Sequence, residues 1–186
     1  MNYNLISIDQ SLTNTGIVVW TEKSGYVFRL FQTKKTKDTK CPTIDYTRRI
    51  LEIKDEINRL CQEYSIQKGI IEGAAFGAGG YLYDLGGLGH ASRIALIESG
   101  VDIVVIPPKT AKKYFTGNGN ANKQDMIAEA KNRNVKIPFM KKYSKILTDF
   151  DDNVVDAFCF MSFLRELYDG TLNPEFFDKV EYSTDI

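Results

Sequence analysis

The chain is 186 residues long, 43% hydrophobic and 26% charged, which fits one globular domain with a full-sized core and excludes disordered, collagenous and coiled-coil chains. Lys+Arg and Asp+Glu number 24 each, yet the charge is unevenly placed: Pro107 to Thr148 holds ten basic residues against two acids, and from Asp149 onward there are ten acids against Arg165 and Lys179. Such asymmetry suits a polyanion partner, or two solvated faces of opposite sign. A single histidine, His90, and three widely spaced cysteines give no disulfide framework, no CxxC zinc signature and no basis for a Ser-His-Asp triad.

In chain order, Leu5, Ile6 and Ile8 form a buried strand with Asp9 at its end. A polar turn from Gln10 to Thr15 follows, and Ile17 to Trp20 returns as the second strand of a hairpin. An acid at the tip of an apolar strand is costly to desolvate without a partner. Taken alone, Asp9 reads as a cap on the turn. Tyr26 to Thr33 alternates as a third strand, and a Lys/Thr-rich loop follows. Pro42 opens a helix whose Ile50, Ile53, Ile57, Leu60 and Tyr64 make an amphipathic stripe. Ile70 and Ile71 form a fourth strand, again with an acid, Glu72, at its tip. Ala74 to Leu88 is Gly- and Tyr-rich and reads as a loop. A helix from Leu88 to Glu98 stops at Gly100. Val101 to Ile106 is a fifth strand halted by Pro107-Pro108.

A short helix begins at Lys109, and a glycine- and asparagine-rich turn leads to a helix from Gln124 to Arg133. That turn lacks the GxxxxGK[ST] spacing of a nucleotide P-loop. Pro138 to Thr148 reads as a basic connection. The last helix starts around Asp149 to Asp152 and runs to Tyr168, so residues 1–168 form one domain and 169–186 an acidic, aromatic tail, read as loosely packed. The expected fold is α/β, a mixed five-stranded sheet with the second strand antiparallel and helices on both faces.

Asp152 and Asp156 are four apart and share one helix face, where like charges repel. Asp149 and Asp151 are explained as an acidic N-terminal cluster. Asp156, a full turn inside and flanked by Val155, Ala157 and Phe158, is not. Asp9, Glu72, Asp152 and Asp156 make an oxygen-only donor set that suits Mg²⁺, with Mn²⁺ as substitute. Two such ions about 4 Å apart are the standard device for phosphodiester hydrolysis.

These residues resemble the RuvC-type Holliday-junction resolvases of the RNase H-like superfamily. The resemblance is carried by Ile8-Asp9 with Thr15-Gly16, by Ile71-Glu72, and by Leu88-Gly89-His90-Ala91. Gly117-x-Gly119-x-Ala121-x-Lys123 and Asp156-Ala157 complete it, in register from Leu5 to Leu164. The chain departs from the family at Gln10-Ser11, where the family turn reads Asp-Pro-Gly or similar. It departs again at Asn153, where bacterial members carry an acid or histidine. Divergent, phage-like members place the acid four residues before the last Asp, as Asp152 stands here; Asp149 or Asp151 could take its place. The resemblance implies a homodimeric, metal-dependent endonuclease of DNA recombination and repair, with two ions per active site. It would nick two opposed strands of a four-way junction and leave 5′-phosphate and 3′-hydroxyl ends. It further implies that Lys123 contacts the scissile phosphate and that Lys109, Lys112 and Lys113, with the basic segment running on to Lys145, track phosphates; Phe76 reads either as a residue that stacks at the crossover or as a loop anchor packed on the core.

Other readings are a nuclease for flaps, forks or RNA–DNA hybrids, a non-catalytic branched-DNA binder, and an actin-like ATP-binding lobe. The last needs two lobes, and this chain has room for one; no nucleotide cofactor is expected. No apolar run approaches the roughly 20 residues that cross a bilayer, and Met1 to Asn4 lacks a signal-peptide pattern. The expected setting is therefore the cytoplasm of a bacterium or phage-infected cell.

Overall fold

A computed structural model describes residues 3–36, 40–73, 82–143 and 145–183. Its main sheet has six strands in the order β3-β2-β1-β4-β5-β8. β1 (Leu5–Asp9), β2 (Asn14–Thr21) and β3 (Gly25–Gln32) form an antiparallel meander. β4 (Lys68–Glu72) lies parallel to β1, and β5 (Asp102–Ile106) parallel to β4. The five strands read from the sequence are all present. The sixth, β8 (Glu181–Tyr182), pairs antiparallel with β5 and comes from the tail.

The tail is not a loose appendage. Leu172 and Phe176 are buried in the core, Pro174–Lys179 forms a 3₁₀ turn, and Ser183 N–H donates to the Ile103 carbonyl at 2.9 Å. The driving force is twofold. β5 would otherwise expose an unpaired edge, and Tyr114 and Phe163 offer edge-on ring contacts to Phe176.

Helices α1 (Pro42–Glu63) and α2 (Leu82–Glu98) cover one face. α3 (Pro108–Thr116), α4 (Lys123–Asn132) and α5 (Asp152–Asp169) cover the other. α2 starts six residues before the expected Leu88. α4 starts where the sequence sets a capping box, with Asn122 accepting from Gln124 and Asp125 N–H and Asp125 accepting from Asn122 N–H. The basic connection between α4 and α5 carries a small hairpin, β6 (Lys141–Lys142) with β7 (Lys145–Ile146).

Strand alternation sets which side chains meet which layer. In β1, Ile6 and Ile8 belong to the core under α1 and α2, and Leu5 to the core under α5. The period of two puts Ser7 and Asp9 on the α5 side with Leu5. In β4, Ile71 faces α1 and α2 while Ile70 faces α5, so Glu72 also points to the α5 side. Both strand-end acids are thereby aimed at the same helix.

Candidate active site

α5 is held against β1 and β2 by two close contacts. Ser7 Oγ donates to the Ala157 carbonyl at 2.6 Å, across 150 residues of chain. At Gly16, the residue opposite Asp9 in the β1–β2 ladder, a Cβ would lie 2.1 Å from the Asn153 carbonyl oxygen. Only glycine lets the first turn of α5 rest there, and that approach carries Asp152 and Asp156 over the end of β1. Asp151 is the N-cap of α5, its carboxylate accepting from Asn153 and Val154 N–H.

The result is four carboxylates that sense one another. Burial, then the charges of Asp156, Glu72, Asp152 and Asp151, push the Asp9 carboxyl well above the usual range. Burial and Asp156 push Glu72 up to about 7, against the pull of Lys112. Burial pushes Asp156 up to about 6, with Lys112 opposing and Asp152 adding. Among the described residues, the Asp9, Glu72 and Asp156 carboxylates make no hydrogen bond or ion pair. Asp152 differs. Burial would raise it, but an ion pair with Lys123 outweighs this and holds it below the usual value. As they stand, no three such side chains among the described residues are grouped to hold a metal ion. The donor set fits one by its chemistry: oxygen ligands only, partly desolvated, and destabilised by mutual repulsion that a divalent cation would relieve.

The sequence matches no protein-family model and no curated protein. Solved structures match its fold. The Thermus thermophilus RuvC structure aligns with TM-score 0.61 at 18% identity, over 90% of this chain and 97% of that one. T. thermophilus RuvC in complex with Holliday junction substrate aligns with TM-score 0.64 at 15% identity, over 91% and 97%. The Fowlpox virus resolvase with its substrate Holliday junction DNA aligns with TM-score 0.50 at 14% identity, over 88% and 98%. This chain has the RuvC fold.

Within that fold the remaining expected residues divide. Lys123 opens α4 and lies at the carboxylate cluster through Asp152. Lys112 on α3 is half-buried and lowers both Glu72 and Asp156. Lys113 is turned to the tail, 3.1 Å from Glu175, and Lys109 lines a small groove with Lys113, Glu175 and Lys179. Phe76 lies outside the described residues. Asp149 pairs with Lys131 at 2.9 Å, and Asp151 with Lys142 at 3.2 Å, so both have other work than Asp152.

Sequence reasoning missed the scaffold of the turn after Asp9. Arg49, 4% exposed on α1, donates to the Leu12 carbonyl at 3.0 Å and to the Thr13 and Thr33 hydroxyls at 2.9 Å each. Gln10 Nε2 donates to the Glu72 carbonyl at 3.0 Å, which ties the ends of β1 and β4. The only signal for Arg49 was its place one residue before Ile50 of the apolar stripe. A groove of about 590 Å³ lined by Asn4, Thr21 and Tyr64 lies at the opposite end of the sheet and has no part in the site.

Proposed function

We propose that this protein is a metal-dependent, structure-selective DNA endonuclease that resolves four-way junctions by paired nicks, leaving 5′-phosphate and 3′-hydroxyl ends. The observation that carries the reading is the convergence of Asp9, Glu72 and Asp156, buried or half-buried carboxylates with no hydrogen-bond or ion-pair partner among the described residues, on a fold shared with Holliday junction resolvases. Two bound Mg²⁺ ions, with Mn²⁺ as substitute, would supply an activated water and charge stabilisation for the leaving 3′ oxygen.

The chain's own residues have separable tasks. Asp9, Glu72 and Asp156 would hold the ions, with Asp152 as the fourth ligand. Ser7, Gly16 and Gln10 position them. Lys123 neutralises Asp152 in the free protein and would stand against the non-bridging oxygens of the scissile phosphate. A lysine is a good point charge for that task. Lys112, with Lys109 and Lys113 farther out, extends a basic path for the DNA backbone, and Phe76 would stack at the crossover.

Paired nicks on a symmetric junction need two active sites, and a homodimer supplies them. Leu51 on α1 and Ile94 and Ile97 on α2 are 52%, 47% and 63% exposed, on the helical layer away from the carboxylates. This face is the dimer contact in our reading.

The test is cleavage of labelled four-way, flap and linear duplex DNA by the purified protein with Mg²⁺ or Mn²⁺. Paired cuts in the four-way junction are expected. Cutting of flaps or forks alone would move the substrate class to other branched DNA. Binding of junctions with no cutting under either ion would make the protein a non-catalytic binder. A monomeric mass at micromolar concentration, with and without junction, would remove the paired-nick mechanism.

A further inference from the structure

The hairpin between α4 and α5 is built in a way that its position in a surface connection does not require. Cross-strand pairs are Lys141 with Ile146 and Lys142 with Lys145. Strand alternation therefore gives two faces. The inward face carries Met140, which is buried, and Leu147, whose N–H donates to the Met140 carbonyl at 2.9 Å. Lys142 lies with them and pairs with the buried Asp151 at 3.2 Å, and its cross-strand partner Lys145 shares that side at the exposed edge of the hairpin. The outward face carries Phe139, Lys141 and Ile146, with Phe139 59% and Ile146 72% exposed. Tyr143, at the turn, is 48% exposed and sits at φ 55°. That left-handed conformation costs a tyrosine energy that a glycine or asparagine would avoid. A hairpin serving only as a connection would be polar outside and carry a turn residue suited to its backbone.

The hairpin is also fixed to the rim of the carboxylate cluster at two points. Lys142 reaches the N-cap of α5, one residue before Asp152. Tyr143 N–H donates to Gln32 Oε1 at 2.9 Å, and Gln32 Nε2 donates to Asn14 Oδ1 at 2.8 Å, at the end of the turn that follows Asp9. From Ala130 to Thr148 there is no acidic residue. Lys136, Lys141 and Lys145 are exposed and have no ion pair among the described residues. Two copies meeting face to face through this surface would set like charges against each other, so a second copy of this chain is a poor occupant.

We propose that the β6–β7 hairpin is a second DNA-contacting arm: Lys141 and Lys145 hold backbone phosphates beside the cut site, and Phe139, Tyr143 and Ile146 pack against the sugars and bases of a strand opened at the branch. Mixed lysine and aromatic surface is the chemistry that single-stranded or unstacked nucleic acid selects. The inference deepens the nuclease reading and rests on it for the identity of the nucleic acid.

The experiment is binding of a fluorescein-labelled four-way DNA junction in EDTA, across a series of NaCl concentrations, by the full chain and two variants. Lys141→Ala/Lys145→Ala is expected to flatten the slope of log affinity against log salt by about 1.4–1.8, the value for two lost phosphate contacts, and to weaken binding more than tenfold. Phe139→Ser/Ile146→Ser is expected to weaken binding roughly five- to tenfold with the slope kept, because stacking and apolar contacts release no counterions. Circular dichroism checks that both variants fold; Lys141→Gln/Lys145→Gln replaces the first pair if it does not. Wild-type affinity and slope in both variants would overturn the arm while leaving the nuclease reading standing. A shift from dimer to monomer in either variant without DNA would overturn it in favour of a contact between copies. A wild-type protein that binds no junction would defeat the nuclease reading itself, and the arm with it.

Discussion

Two buried acids on opposite faces of the sheet show what burial means here. Glu56 on α1 and Asp9 on β1 are each 8% exposed. Glu56 is met by Arg29 at 2.5 Å and by Arg59 at 2.8 and 2.9 Å. Burial alone would raise its carboxyl, but the two arginines outweigh it and hold Glu56 below the usual value. Asp9 makes no such pair among the described residues; burial first, then the charges of four other carboxylates, push its carboxyl well above the usual range. Equal burial thus marks a structural ion pair in one place and a candidate ligand in the other. What separates them is the sign of the neighbours.

The largest test of that contrast exchanges the charge at each place. Asp9→Asn should reduce junction cleavage by roughly a thousandfold or more, since a ligand is lost, while leaving junction binding nearly intact. In the absence of divalent cation it should raise the melting temperature, because a repelled carboxylate is gone. Glu56→Gln should do the reverse, keeping cleavage and costing about 1 kcal/mol, a few degrees by thermal denaturation. If both variants lose stability and both keep activity, the distinction fails.

Next comes the contact that brings the acids together. Gly16→Ala sets a methyl group against the Asn153 carbonyl, a backbone atom that cannot rotate away. A loss of about 3 kcal/mol or more is expected, read by denaturant unfolding. Cleavage per folded molecule should fall as well, because α5 is displaced from Asp9. Wild-type stability would show that α5 does not rest on this strand.

The same repulsion has a pH signature. Folded Glu72 and Asp156 are raised to about 7 and about 6, above their unfolded values. The native state therefore binds more protons than the unfolded one, and stability falls as pH rises from about 4.5 to about 7. Glu56, Asp149 and Asp152 are lowered and have the opposite sign, but their contribution is lost only below that window. Without divalent cation the midpoint should drop by roughly 5–10 °C across it, on the order of 3 kcal/mol. Saturating Mg²⁺ should flatten the profile. A flat profile without the ion would contradict the repulsion.

The smallest effect is at the bridge between cluster and substrate. Lys123→Ala should slow cleavage about ten- to a hundredfold at saturating junction while weakening binding only a few-fold, as removal of one phosphate contact does. Equal losses in both would reduce Lys123 to one basic contact among several.

Much of the fold was legible because its signals are local. Period-two strands and the stripe from Ile50 to Tyr64 each need only neighbours in sequence. They fixed five strands, their order of appearance and the placement of Asp9 and Glu72 at strand ends. That both acids point to one face came only with the packing of β1 and β4 between the two helical layers. The tail was misjudged because Phe176 and Glu181-Tyr182 find their partners, Tyr114 and β5, some 60–80 residues away; nothing local announces an edge strand of two residues.

For the site, the sequence by itself singled out Asp9 and Glu72 as acids at strand ends and Asp156 as an acid inside an apolar helix turn, although Asp9 alone also reads as a turn cap. Only the tertiary structure decided that Asp151 is the cap, that Asp152 is shared with Lys123, and that Arg49 clamps the turn beside Asp9. The reason is distance along the chain. The Lys123 and Arg49 contacts span 29 and 37 residues and Ser7 to Ala157 spans 150, while the Asp151 cap is local and takes its place as α5 settles onto β1 and β2 at a glycine that leaves room for its backbone.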